Sequence, residues 1–336
     1  MIKPAVFMDK LRSGRRPLPR KRRIALAAIL IVLLAAALDY SFYPSMMKFQ
    51  GPSPDHGENG LWIRYKWYFG EERDYTALSK RLLNEHIRYA YFHVRFVGAS
   101  GNLRFRYPDQ AKALLTAVGA QAPGVKRIAW IYAGNDNGGG SVVLSNKVAR
   151  AKMVSEAAWL CNTCGFDGVQ WDYEICADGD KDLLALLDET RKAIPAGKIL
   201  SISSPLWMPS HKLAWSDEYF QQVARRCDQI AVMGYDSGMW WPRAYDKLMQ
   251  EQVSHVTTAA VVNPNCRVLI GIPTYGKGGP SHNPWAENIA VALHGIREGY
   301  KSPSVNRSQF AGVAIFADYT TTSEEWKTYE RFWLNK

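Results

Sequence analysis

A chain of 336 residues, 47% hydrophobic and 22% charged, carries enough apolar material for a large core and too much for a disordered protein. Its 26 Gly and 17 Pro are ordinary and exclude collagen-like or linker-dominated chains. The net charge of +11 suggests a nucleic-acid binder until it is located. Residues 1–24 hold nine Lys and Arg against one Asp, so the remaining body is close to +3. It lacks the basic footprint that a phosphate backbone demands.

In chain order, a basic leader (residues 1–23) runs directly into Ile24–Leu38, drawn only from Ile, Leu, Val and Ala. As a helix this run reaches about 22 Å, and continuing to Tyr43 gives the roughly 30 Å of a hydrocarbon core, with Tyr40, Phe42 and Tyr43 suited to the interface. Residues 24–43 read as a signal peptide or a transmembrane signal-anchor. The small residues Ala35–Ala37 fit cleavage, and the long basic leader fits an uncleaved anchor. Both leave the leader in the cytoplasm and send the body across the membrane. The expected location is extracytoplasmic, membrane-anchored, or secreted if the segment is cleaved. Residues 44–59, with Pro44, Gly51, Pro52, Pro54 and Gly57, read as a linker.

From residue 60 strand-like and helix-like segments alternate. Strands are expected at Leu61–Trp67, Ile87–Arg95, Arg127–Ala133, Gly168–Ile175, Leu200–Ser204, Gln229–Met233, Val268–Pro273 and Gly312–Phe316. Amphipathic stretches fall between and after them, at Tyr75–Asn84, Gln110–Val118, Asn146–Cys161, Lys181–Ala193, Asp217–Arg226, Tyr245–Val262, Asn288–Glu298 and Ser323–Trp333. Eight of each predict an α/β protein, a (β/α)8 TIM barrel over residues 60–336 behind the N-terminal segment. Chemistry then belongs at the strand ends, which carry Trp67, Arg95, Asn135, Asp136, Tyr235, Asp236, Tyr275 and Asp318. Cys161 and Cys164 extend a helical apolar stripe and read as buried small residues, with no second pair to complete a zinc site.

The most informative segment is Asp167-Gly168-Val169-Gln170-Trp171-Asp172-Tyr173-Glu174. Strand alternation puts Gln170, Asp172 and Glu174 on one face. Acids crowded on the face of an apolar strand cost stability and push one carboxyl toward its neutral form. A carboxylic acid that stays protonated near neutral pH is what cleavage of a glycosidic bond requires.

The segment resembles the Asp-Gly-x-Asp-x-Asp-x-Glu signature of the family 18 glycoside hydrolases, the chitinase family. Met233-Gly234-Tyr235-Asp236, Gly271–Gly276 and Gly312–Phe316 resemble further family stretches in the same order. The resemblance implies retaining, substrate-assisted hydrolysis of β-1,4-linked N-acetylglucosamine glycans, in chitin oligomers or peptidoglycan. It implies Glu174 as acid and base, Asp172 as the holder of the acetamido N–H, and Tyr235 as donor to the acetamido oxygen. Substrate contacts would come from Asp236, Gln170, Met233 and Phe316, with Trp67 or Tyr275 adding an aromatic wall. No cofactor or metal is implied. The expected partners are the glycan and the membrane, and a monomer is expected. The rival reading is a carbohydrate-binding barrel without catalysis.

Gln170 departs from the signature, which has an Asp there, although amides at this position also accompany peptidoglycan-acting members. An amide can donate to Asp172 but cannot exchange a proton with it, so Asp172 is expected to stay ionised and the pH optimum to shift by about one unit, roughly 1.4 kcal/mol. Phe316 replaces the usual Trp, and the short segment Gly276–Glu287 leaves no room for an inserted subdomain, so a shallow groove is expected. Asp178, Asp180, Asp182 and Glu189 mimic a calcium loop, but Leu183 stands where its turn needs Gly, and helix capping explains the acids better. Gly138–Gly140 reads as a mobile loop. Trp207, Trp215, Trp240, Trp241 and Trp285 are divided between sugar platforms and core packing.

Overall fold

The computed structural model describes residues 19–209 and 214–336. The chain divides into two units, Met1–Met46 and Met47–Lys336. In the first, helix α1 (Arg20–Met46) has 27 residues and is long and apolar enough to cross a membrane. It takes in the expected apolar span with a few residues on either side, while the basic leader up to residue 18 lies outside the described residues.

The second unit is a closed barrel of eight parallel strands in sequence order: β1 (Asn59–Ile63), β2 (Ile87–Phe96), β3 (Lys126–Gly134), β4 (Gly168–Glu174), β5 (Ile199–Ser204), β6 (Gln229–Val232), β7 (Arg267–Pro273) and β8 (Phe310–Phe316), with β8 pairing back to β1. Helices α2 (Lys66–Phe69) and α3 (Tyr75–Asn84) follow β1. Then α4 (Pro108–Gln121), α5 (Lys147–Trp159), α6 (Lys181–Ala193), α7 (Asp217–Ala224), α8 (Pro242–Ala260), α9 (Ile289–Tyr300) and α10 (Ser323–Tyr329) each follow one strand, completing the TIM barrel. Alternation along each strand sorts the side chains into two cores. Outward residues such as Leu61, Val169, Trp171 and Ile230 pack under the helices. Inward residues such as Trp62, Tyr91, Ile128, Trp130 and Leu269 fill the barrel. Side-chain caps start several helices: Asp180 accepts from the backbone N–H of Asp182 and Leu183, and Asp182 and Glu189 pair with Arg150, so three of the acids that mimic a calcium loop start and brace α6.

Three expectations are corrected. Strand β1 ends at Ile63, not Trp67, because Arg64 turns away and gives its backbone N–H to the Asp318 side chain, at 3.0 Å. The linker is not a free stalk. Residues before Met47 belong to α1, and the rest packs on the barrel: Phe49 stacks on Phe332 at 4.0 Å, Gly51 accepts from Arg297, and Asp55 pairs with His86. The triple-glycine loop is closely packed: a Cβ on Gly138 would sit 2.3 Å from the Glu174 carbonyl oxygen, and one on Gly140 would sit 2.0 Å from that of Gly134. All five cysteines are free and buried, and burial raises the Cys161 thiol to about 11.

Candidate active site

Strand β4 carries Gln170 and Asp172 into the barrel, while Val169, Trp171 and Tyr173 join the outer core. Glu174, at the strand's last position, stands half-buried in the mouth. It lines a cavity of about 370 Å3 together with Tyr235, Asp236, Met233, Ser237 and Ser281. The far wall is apolar, formed by Cys176, Pro205, Leu206, Met208 and Ala214. No subdomain interrupts the β7–α9 segment, as the sequence predicts.

Asp172 is 4% exposed and accepts from the Trp130 indole N–H at 2.7 Å. Its other oxygen has no donor among the described residues, and the Glu174 carboxyl is its charged neighbour. Burial, then the neighbouring Glu174 charge, hold Asp172 well above the ordinary carboxylate range, with the Trp130 bond pulling the other way. Glu174 is also raised, by burial and then by the charge of Asp236, while its contact with Asp172 lowers it. Burial thus favours the neutral form of both carboxyls, and the two titrate as a coupled pair.

This corrects the role expected of Gln170. Its carboxamide oxygen accepts from Trp62 Nε1 at 2.8 Å and its nitrogen donates to Ser201 Oγ at 3.0 Å, so it donates nothing to Asp172. The chain of neutral bonds runs on from Ser201 to Gln229 Oε1, which also accepts from Tyr91. Gln170 therefore does nothing to hold Asp172 ionised, and burial pushes its carboxyl toward the neutral form.

Tyr235 and Phe316 form the opposite wall, stacked at 4.6 Å, with Trp62 and Tyr275 meeting Phe316 edge-on at 5.8 and 6.1 Å. Burial raises the Tyr235 phenol well above its usual value, with Asp172 the next cause. Tyr275 is raised by burial and by Asp236, which it faces. Trp67 is the one proposed wall residue that stands apart. It sits on α2 beside a separate cavity with Arg64, Glu72 and Asp318, and Trp62 takes the interior position instead.

Several contributors were missed. Trp130 lies in a predicted strand at an inward position and opposite Gln170, so alternation offered a signal for it. His93 stacks on Trp130 at 4.1 Å, and burial lowers its pKa to about 3, so it is a neutral ring. Asn135, which the sequence does place at a strand end, grips the backbone at the acid. Its main-chain N–H donates to the Glu174 carbonyl at 2.7 Å, its Nδ2 donates to the Ile175 carbonyl at 2.8 Å, and its Oδ1 accepts from Ile175 N–H at 3.0 Å. Of the loop tryptophans, Trp207 and Trp215 are core residues, whereas Trp240 and Trp285 are 60% and 45% exposed. A single side chain, Asn283, ties these two together by donating to the Trp240 carbonyl and accepting from the Trp285 N–H.

A closed barrel of eight parallel strands with Asp172 and Glu174 at the end of β4 defines a class, the (β/α)8 barrels with a polar site at the strand ends. The sequence model described as Glycosyl hydrolases family 18 matches residues 64–332, and the chain belongs to that family. A chain of Bacillus subtilis named as a sporulation-specific glycosylase, YdhD, is 28% identical over 142 residues, covering 40% of this chain; the match spans only a third (33%) of that curated relative's length. The spore cortex-lytic enzyme SleL of Bacillus cereus aligns with a TM-score of 0.58 at 12% identity, over 84% of this chain and 76% of that one. A class V chitinase mutant of Cycas revoluta, solved with (GlcNAc)3, aligns with a TM-score of 0.57 at 15% identity, over 82% of this chain and 99% of that one. At these identities the solved structures establish the shared fold.

Proposed function

We propose that this chain hydrolyses β-1,4-linked N-acetylglucosamine glycans with retention of configuration, Glu174 acting first as acid and then as base. The observation that carries this reading is the pairing of the buried Asp172 with the half-buried Glu174, which lines a cavity together with Tyr235. A Glu174 proton retained toward neutral pH is available to the leaving alkoxide. The nucleophile is the carbonyl oxygen of the sugar's own acetamido group. It bonds to the anomeric carbon as the glycosidic bond breaks and the Glu174 proton passes to the departing oxygen. Water, deprotonated by Glu174, then opens the oxazolinium ring and restores the β product. Asp172, ionised once its proton has moved to Glu174, holds the acetamido N–H. Tyr235 donates to the acetamido oxygen, and the Phe316 ring stacked on it makes an apolar floor. Asp236 and Met233 contact the same sugar, Tyr275 backs Asp236, and Gln170 supports the site from below without touching substrate. Helix α1 supports an extracytoplasmic barrel tethered to the membrane.

Relatives named for chitin and for spore cortex both occur, so the test offers the full-length protein N-acetylglucosamine oligomers and purified peptidoglycan. Wild type should release product that is β when read early by NMR, and Glu174→Gln should lose activity by about 10²-fold or more. Early α product, or equal turnover in the variant, refutes the mechanism. Binding without turnover in wild type makes the barrel a lectin.

A further inference from the structure

The loops after β6 and β7 are joined by a buried polar cluster that takes no part in the chemistry described above. Glu287 is fully buried, and its carboxyl accepts from Ser237 Oγ, the Ser237 N–H at 3.4 Å and the Met239 N–H at 3.1 Å, and meets His282 Nδ1 at 3.1 Å. His282, 2% exposed, turns its other nitrogen to the Tyr275 carbonyl at 3.2 Å. That carbonyl only accepts, so His282 Nε2 carries a hydrogen. The Gly238 N–H donates to the Ser281 carbonyl at 2.8 Å, and Ser281 Oγ reaches Asp236 at 3.5 Å. All these bonds bracket one residue. Asp236 has φ of +53°, a left-handed conformation that a non-glycine residue keeps only where its surroundings impose it.

We propose that Glu287, His282 and Ser237 are positioning residues, a clamp between the β6 and β7 loops that fixes the Asp236 carboxylate beside Glu174. The proposal rests on the acid role given to Glu174. The groups facing Glu174 are Asp172 on β4, Asp236 after β6, and the phenols of Tyr132 on β3 and Tyr235 after β6, with Tyr275 facing Asp236 from the end of β7. Of the charges, Asp236 is the one that strengthens Glu174's hold on its proton. Asp236 is already exposed, and freeing the loop lets it move away from Glu174 and weakens that hold. Glu287→Gln, by contrast, keeps most of the clamp: the amide oxygen still accepts from Ser237 Oγ and the Met239 N–H, its N–H donates to His282 Nδ1 with the ring hydrogen on Nε2, and only the long Ser237 N–H contact at 3.4 Å is lost. Geometry is required here and the negative charge at 287 is not.

The test uses the full-length protein in detergent micelles, with two readouts on Glu287→Ala, Glu287→Gln and Ser237→Ala. One is the basic limb of the pH dependence of kcat/KM. The other is direct 13C titration of the Glu174 carboxyl, assigned with Glu174→Gln. The Glu174 midpoint should fall by about half to one pH unit in Glu287→Ala, move by less but in the same direction in Ser237→Ala, and stay within about 0.2 unit of wild type in Glu287→Gln. A cluster that merely stabilises the fold lowers the amplitude and leaves the midpoint unmoved, which overturns the proposal, as does a Gln variant that shifts with the Ala variant. Should Glu287→Ala fail to fold, Ser237→Ala decides. Should wild type cleave no glycan, the NMR titration still decides, so failure of the activity and failure of the clamp are told apart.

Discussion

Trp130→Phe is the sharpest single perturbation of the site. The phenyl ring keeps the stacking position over His93 and much of the volume, and removes one group, the indole N–H that meets Asp172 Oδ2 at 2.7 Å. That bond is the only fixed donor Asp172 has among the described residues, and it favours the ionised carboxylate. A buried hydrogen bond to a charged group contributes about 1.5–3 kcal/mol, which corresponds to about 10- to 150-fold in rate. The proposed reaction needs Asp172 ionised only as its proton moves to Glu174, so the loss belongs in kcat and KM should change little. The sign in pH follows from the same bond. Without it Asp172 holds its proton more tightly, so the acidic limb of kcat/KM moves to higher pH. Steady-state kinetics on an N-acetylglucosamine tetramer from pH 4 to 9, with thermal melting to confirm folding, reads both effects. A loss below threefold, or one carried wholly by KM, refutes the assignment.

The raised Glu174 has a consequence for stability. Its folded-state pKa lies above the unfolded value of about 4.3, so its stabilising contribution is complete below that pH and is lost as pH rises through the folded value. Glu174→Gln should therefore be more stable than wild type near pH 7, by on the order of 1 kcal/mol, with the gap closing below about pH 4. Denaturant melts at both pH values check this, and an equal gap at both would count against a raised Glu174. Trp240 stands 60% exposed on the loop that follows Asp236. If it stacks a distal sugar, Trp240→Ala should raise KM by about 2- to 10-fold for long oligomers and leave the shortest cleavable one unchanged, as a chain-length series would reveal.

How much of this was legible in the sequence depends on which distances a pattern can encode. Alternation along β4 puts Gln170, Asp172 and Glu174 on one face, but that this face turns into the barrel and that Glu174 ends the strand at the mouth come from barrel closure. The same rule misled at β1, where the apolar run was continued to Trp67 although the strand ends at Ile63. The cause lies 254 residues away: the Asp318 carboxylate takes the Arg64 N–H and turns the chain out. Pairs such as Trp62–Gln170 and Asn135–Ile175 are likewise set by how neighbouring strands and loops meet, which periodicity within one segment does not contain. The clamp was hidden for a related reason. His282 and Glu287 lie in an irregular loop, and their meaning comes from Ser237, 50 residues earlier.

These long-range partners decide where the proton sits. Beneath the mouth, the bonds joining Trp62, Gln170, Ser201, Gln229 and Tyr91 link only neutral groups, which avoids the desolvation cost of a further buried charge. With an amide at 170, Asp172 and Glu174 are the two carboxyls of β4 between which a proton is divided in the proposed reaction. Burial alone would leave it on Asp172, where it is useless to a departing oxygen. Two influences from other strands oppose that: Trp130 weakens the grip of Asp172, and Asp236 strengthens that of Glu174. Both push the proton the same way, toward the cavity. Losing either one should therefore strand it on Asp172, although the first loss acts through the acidic limb and the second through the basic limb. That difference separates an effect on the deeper carboxyl from an effect on the outer one.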